Sequence, residues 1–136
     1  MIRKILIVTF IAVGVFIIVG IAMMMKMRPV LQEQKQVRRM EISNADLTKV
    51  LDGVYQGDFT YGGFTFLVEV GVTNHKIENI KILKNMETSH AKHVEGVIER
   101  IIQKQSPNVD AITGATTTSK ALMKAVENAL TKGVQK

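Results

Sequence analysis

"VYQGDFTYGGFTFLVEVGVTNHKIENIKIL", Val54 to Leu83, decides the fold. Phe64, Phe66, Val68, Val70 and Val72 alternate with Thr65, Leu67, Glu69, Gly71 and Thr73. A period of two marks a β-strand with one face buried. Gly57 and Gly62-Gly63 punctuate the stretch before it. "TNHK" then reads as a hairpin turn, with Asn74 the candidate for positive φ. "KIENIKIL" is the return strand. The stretch therefore predicts an antiparallel meander of about three strands.

Helical patterns flank the meander. Downstream, "NMETSHAKH" is a loop leading into "HVEGVIERIIQKQ", where Val94, Val97, Ile98, Ile101 and Ile102 share one apolar face and Gly96 weakens the helix slightly. "SPNVDAITGA" is a connector. A last helix, from about Thr117 to Thr131, presents Ala121, Leu122, Ala125, Val126, Ala129 and Leu130 to the core, with Gly133 as its stop. Upstream, "NADLTKVLDG" predicts a short helix capped by Asn44 and ended by Gly53. The expected architecture is α+β: a small antiparallel sheet packed against two helices, spanning residues 45–136.

The amino-terminal region is of another kind. Ile5 to Met25, "ILIVTFIAVGVFIIVGIAMMM", has no charge and a single hydroxyl. At about 1.5 Å per residue it spans roughly 30 Å, the thickness of a bilayer's hydrocarbon core. "IAMMMKM" offers no small-x-small cleavage site, so residues 1–25 read as an uncleaved transmembrane anchor. Residues 26–44 are polar and basic, a juxtamembrane linker that is helical in part after Pro29 and suited to anionic lipid headgroups.

Charge and composition exclude several functions. The net charge of +6 suggests nucleic acid, but its location does not. Residues 1–44 carry seven Lys/Arg against two Asp/Glu, while residues 45–136 carry eleven against ten. The basic excess flanks the apolar stretch, which favours membrane lipid over nucleic acid as a partner. With no cysteine, the chain has no disulfide, thiolate nucleophile or cysteine-held cluster. His90 and His93 lack a third ligand, so no metal site is expected.

The chemistry concentrates in "DAITGATTTSKAL", Asp110 to Leu122. Four hydroxyl residues, Thr116, Thr117, Thr118 and Ser119, crowd a helix start where one cap suffices. Free N–H groups and the positive end of the helix dipole suit a phosphate there. Gly114 permits close backbone approach, and Ala115 leaves room. An ordinary N-cap with spare threonines fits the same residues.

"DAITGAT" (Asp110 to Thr116) resembles the flavinylation motif of the FMN-binding domain family, Asp-x-x-Ser/Thr-Gly-Ala-Thr. These domains occur in the sodium-pumping NADH:quinone oxidoreductase, in Rnf complexes and in membrane-anchored single-domain proteins. "DGVYQG" (Asp52 to Gly57) is similar to the family's opening motif, and "NMET" (Asn85 to Thr88) to its Asn-x-Glu-Thr loop. The resemblance covers residues 52–131. It departs at Ser89-His90, where the family often has Pro-Gly.

The resemblance implies that a flavin transferase links FMN from FAD to Thr116 as a phosphoester. Thr113, Gly114, Ala115, Thr117, Thr118 and Ser119 then surround the phosphate, with Ser119 also a cap candidate. Glu87 and Thr88 lie by the flavin ring. Asp110 is read by the transferase or fixes the turn. His90 and His93 either tune the flavin or are ordinary polar residues, and Tyr55 and Tyr61 either stack on it or belong to the core. No residue stands out as a catalytic acid or base.

The implied function is an electron carrier between a membrane dehydrogenase or quinone pool and another acceptor. A non-covalent FMN-binding reductase or sensor, or a structural adaptor without flavin, are the competing readings. Topology is divided. Counting positive charges retains the domain in the cytoplasm, a short basic N-tail on a first helix allows export, and the family implies an extracytoplasmic domain.

Overall fold

The computed structural model describes residues 1–86 and 89–134. Helix α1 (Ile2–Arg39) is followed by one 3-10 turn (Leu47–Lys49), strands β1 (Gly53–Tyr61), β2 (Phe64–Thr73) and β3 (Lys76–Lys84), and helices α2 (Ser89–Lys104) and α3 (Thr116–Lys132). The chain forms two compact units, Met1–Glu33 and Gln34–Lys136.

The first unit is the apolar part of α1. Its most apolar 18-residue window has a mean hydropathy of 3.1, and none of that window is buried. The helix is long and apolar enough to cross a membrane. Pro29 lies inside α1 and leaves the Met25 carbonyl without its usual N–H partner. The region expected as a linker, residues 26–44, is helical on both sides of Pro29 as far as Arg39. Val37 and Ile42 within it are buried in the core of the second unit.

That second unit is α+β. The sheet runs β1-β2-β3, antiparallel throughout. Both hairpins have two-residue turns with positive φ at each central residue: Gly62 and Gly63 in the first, Asn74 and His75 in the second. Such turns match the right-handed twist of the strands they join. Asn74 takes φ 51° as the sequence predicts, and His75 follows at 60°. The His75 ring is held by the Leu47 and Val50 carbonyls, each within 3.3 Å of Nδ1. Both partners only accept, so Nδ1 carries the proton.

The predicted alternation in β2 survives folding. Phe66, Val68, Val70 and Val72 are buried, while Phe64 sits exposed at the strand's start. Helix α3 covers β1 and β2, and α2 packs against β3 and α3. All six predicted inward positions of α3 are buried, together with Met123 and Ser119. On α2, Val94, Val97, Ile98 and Ile101 are buried, and Ile102 packs half-buried against the core. The sheet's other face carries two polar cross-strand pairs: Gln56 donates to Glu69, and the Thr60 and Thr65 hydroxyls bond each other.

Two sequence expectations need correction. The short helix between Asn44 and Gly53 is a single 3-10 turn, and Asp46 caps it by accepting from Thr48 N–H. The Thr48 hydroxyl also bonds that carboxylate and holds its pKa below the usual value. Asn44 instead accepts from Ser106 Oγ at 2.8 Å, a bond from the α2–α3 connector. Gly133 ends α3 as the sequence expects, with φ −85°. Its lack of a side chain makes room for the Tyr55 ring and Val50.

The tightest fit lies between β1 and α3. A Cβ at Gly57 would come 2.0 Å from the Ala125 carbonyl and 2.4 Å from Ala129 N. Both obstacles are backbone atoms, which cannot rotate away. Gly57→Ala is expected to destabilise the second unit by about 3 kcal/mol, the upper range for overpacking a core. Thermal melting of the full chain in detergent reads this; an unchanged melting temperature contradicts the close approach.

Candidate functional site

The connector from α2 to α3 is fastened along its length. Gln105 leaves α2 at φ 54°, with Gln105 N bonded to the Ile102 carbonyl and Ser106 N to that of Ile101. This is a Schellman ending with glutamine in the usual glycine place. The Gln105 amide bonds both backbone groups of Ile77, tying the turn to β3. Further along, Lys104 Nζ donates to the Asn108 carbonyl at 2.8 Å, and Arg100 Nη1 to the Asp110 carbonyl at 2.9 Å. Val109 is buried between these fasteners.

The chain then turns sharply. Ala115 N bonds the Ile112 carbonyl at 3.0 Å, and Gly114 within the turn has φ 82°. Nothing lies within 4 Å of where a Gly114 Cβ would be, so the left-handed backbone and not crowding calls for glycine. Ser119 locks the turn to the helix. It is wholly buried, and its Oγ accepts from Ile112 N–H at 3.1 Å.

Helix α3 starts without a cap. Ala115 is the N-cap residue and makes no side-chain cap bond. The first intrahelical bond in this segment is Ser119 N to the Ala115 carbonyl, 2.9 Å. The N–H groups of Thr116, Thr117 and Thr118 precede it and have no partner within the helix. These residues are half-buried, and Thr113 and Gly114 are exposed. Arg38, from the end of α1, donates its Nε–H to Thr117 Oγ1 at 3.0 Å.

The structure thus gathers Thr113, Gly114, Ala115, Thr116, Thr117 and Thr118 around one helix start. Ser119 belongs to the same segment but serves inside it as a fastener, and it does not cap α3. Asp110 is exposed and lines a shallow depression of about 330 Å³ with Arg100, Gln103, Lys104 and Val109. Glu87 and Thr88 lie outside the described residues. The His90 side chain also lies outside them, and His93 is exposed on α2. Tyr61 is a core residue stacked on Phe66, with ring centroids 5.6 Å apart. Tyr55 packs against the core and donates its hydroxyl to the Leu51 carbonyl at 2.9 Å.

Arg38 is the contact that sequence reading missed. In the sequence it stands in a basic run beside the apolar stretch, but neighbouring Val37 is buried in the domain core and Arg38 bonds Thr117.

The FMN-binding domain family matches residues 61–131, more than half of the chain and all of the helix-start motif. The chain belongs to this family. No curated protein matches it. The donor set fits a phosphate of FMN: free amide N–H groups, the positive end of a helix dipole, several hydroxyls and one guanidinium.

The fastener role of Ser119 is separable from the more exposed hydroxyls of the same segment. Ser119→Ala leaves Ile112 N–H unpaired and is expected to cost about 2 kcal/mol. Thr113→Ala, at an exposed position, is expected to stay within about 0.5 kcal/mol of the parent. Denaturant unfolding of the two full-length variants checks the contrast; equal stabilities contradict it.

Proposed function

We propose that this FMN-binding chain is a membrane-anchored electron carrier whose FMN is joined to Thr116 through a phosphoester. The observation that carries the reading is the uncapped start of α3, with Thr116 as its first residue directly behind the Gly114 turn. Bound flavin supplies one- and two-electron redox chemistry. The protein supplies position and charge.

Thr116 Oγ is the group that forms the new bond. In the transfer it bonds to the FMN-side phosphorus of FAD and gives up its proton. The pyrophosphate P–O bond breaks, and AMP leaves with the electron pair. The hydroxyls of Thr113, Thr117 and Thr118 and the N–H groups at the helix start can hold the phosphate oxygens. A transferase carries out the step, and Asp110, exposed on the connector, is suited to be read by it. The redox partners are a membrane dehydrogenase or quinone-linked enzyme and an acceptor beyond it, with the domain on the outer face of the cytoplasmic membrane.

Co-production with a flavin transferase tests the attachment. The expected result is flavin that stays on the chain through denaturation and gel electrophoresis, with one added FMN-phosphoryl unit by intact mass. Thr116→Ala should lose all of it, and Thr116→Ser should keep it. Flavin released on denaturation points instead to a non-covalent binder, and a colourless wild-type protein points to an adaptor.

A further inference from the structure

We propose that Arg38 is the charge partner of the phosphate carried at Thr116. The proposal rests on the reading of Thr116 as the attachment point and adds a residue from outside the helix-start motif.

Arg38 is held in place by its neighbour. Val37 is only 5% exposed and belongs to the domain core, so the end of α1 is anchored beside α3. From there Arg38 Nε–H reaches Thr117 Oγ1, next in the chain to Thr116. The bond uses one of five guanidinium donors and leaves the two Nη groups available. Neither of the ion pairs Lys49–Asp46 and Lys124–Glu127 involves Arg38.

The location is electrostatically wrong for an arginine on its own account. A helix N-terminus carries partial positive charge and favours anions, while cations belong at C-termini. Arg38 could have served the last carbonyls of α1, where Arg39 also lies, yet its Nε–H points to the start of α3. Lys120 adds a further positive charge on α3, four residues after Thr116 and so on the same face. A guanidinium held at a helix N-terminus is a repulsive arrangement that an anion resolves. A phosphodiester on Thr116 supplies one negative charge and two non-bridging oxygens, the pattern that a guanidinium fork bonds best.

The test uses the full chain in detergent with a flavin transferase and FAD. Initial rates of attachment come from intact mass, and ³¹P NMR is recorded on the loaded protein. Arg38→Ala is expected to slow attachment roughly tenfold, the worth of a charge-assisted hydrogen bond, and to move the phosphodiester resonance. Arg38→Gln keeps a donor for Thr117 but removes the charge, and it should behave like Arg38→Ala. Arg38→Lys should recover part of the rate. Arg39→Ala, with the same change in net charge, should match wild type in both readouts. Wild-type rates and an unmoved resonance in both uncharged Arg38 variants overturn the role of Arg38 and leave the attachment reading intact. Equal loading of wild type and Thr116→Ala overturns both.

Discussion

The close approach of α3 to β1 at Gly57 governs the rest of the domain. No side chain separates strand from helix there, and the Ala125–Ala129 turn lies directly on the strand. Ala121, Ala125 and Ala129 form a stripe of small residues four apart, which lets the whole helix settle at that distance. Asn128 and Lys132 then reach the Asp58 and Gln56 carbonyls on the open edge of β1. These bonds cover an edge that is otherwise available for unwanted strand pairing. A helix fixed along its length in this way has a fixed start, and that start carries Thr116, Thr117 and Thr118.

Rigidity at the helix start comes from below. Ser119 joins the Ile112 amide to the first turn of α3, while Arg100 and Lys104 hold the carbonyls of Asp110 and Asn108 from α2. The connector is therefore held from both helices, although it has no regular secondary structure. Loops that carry function on a rigid scaffold depend on such fastening. The buried hydroxyl of the cluster and its more exposed neighbours divide the labour: Ser119 builds the turn, and the threonines remain available above it.

Much of this was legible in the sequence because it depends on local periodicity. Alternation over Phe64–Val72 gave the strand, and the inward rows of α2 and α3 followed from helical spacing. What escaped depends on long-range contacts. Ser119 looked like one more hydroxyl, since nothing local says that its partner is the Ile112 amide, seven residues earlier across a turn. Asn44 looked like a cap because caps are judged from neighbours, yet its partner is Ser106. Arg38 stands in a basic run, and its contact with Thr117 spans 79 residues of sequence. Tyr55 and Tyr61 were ambiguous for the same reason: an aromatic side chain has the same composition in a core as beside a ligand.

The spacing Gly-Ala-Thr explains why so many hydroxyls precede a good helix. A threonine at the N-cap turns its oxygen inward and spends it on the helix's own N–H groups. Here alanine occupies the N-cap, and Thr116 stands one position later, as the first helical residue. That shift has two effects on the same site. It forgoes a capping bond worth about 1 kcal/mol and leaves the amides open. It also leaves the Thr116 hydroxyl unspent at the point where the helix dipole is most positive. On the proposed attachment, a phosphate bonded to that hydroxyl would lie next to the amides that the missing cap left unpaired and would take the place of the cap. The apparent surplus of hydroxyls is then no surplus: the one position where a hydroxyl would have silenced the helix end is the one position from Thr113 to Ser119, apart from Gly114, that lacks it.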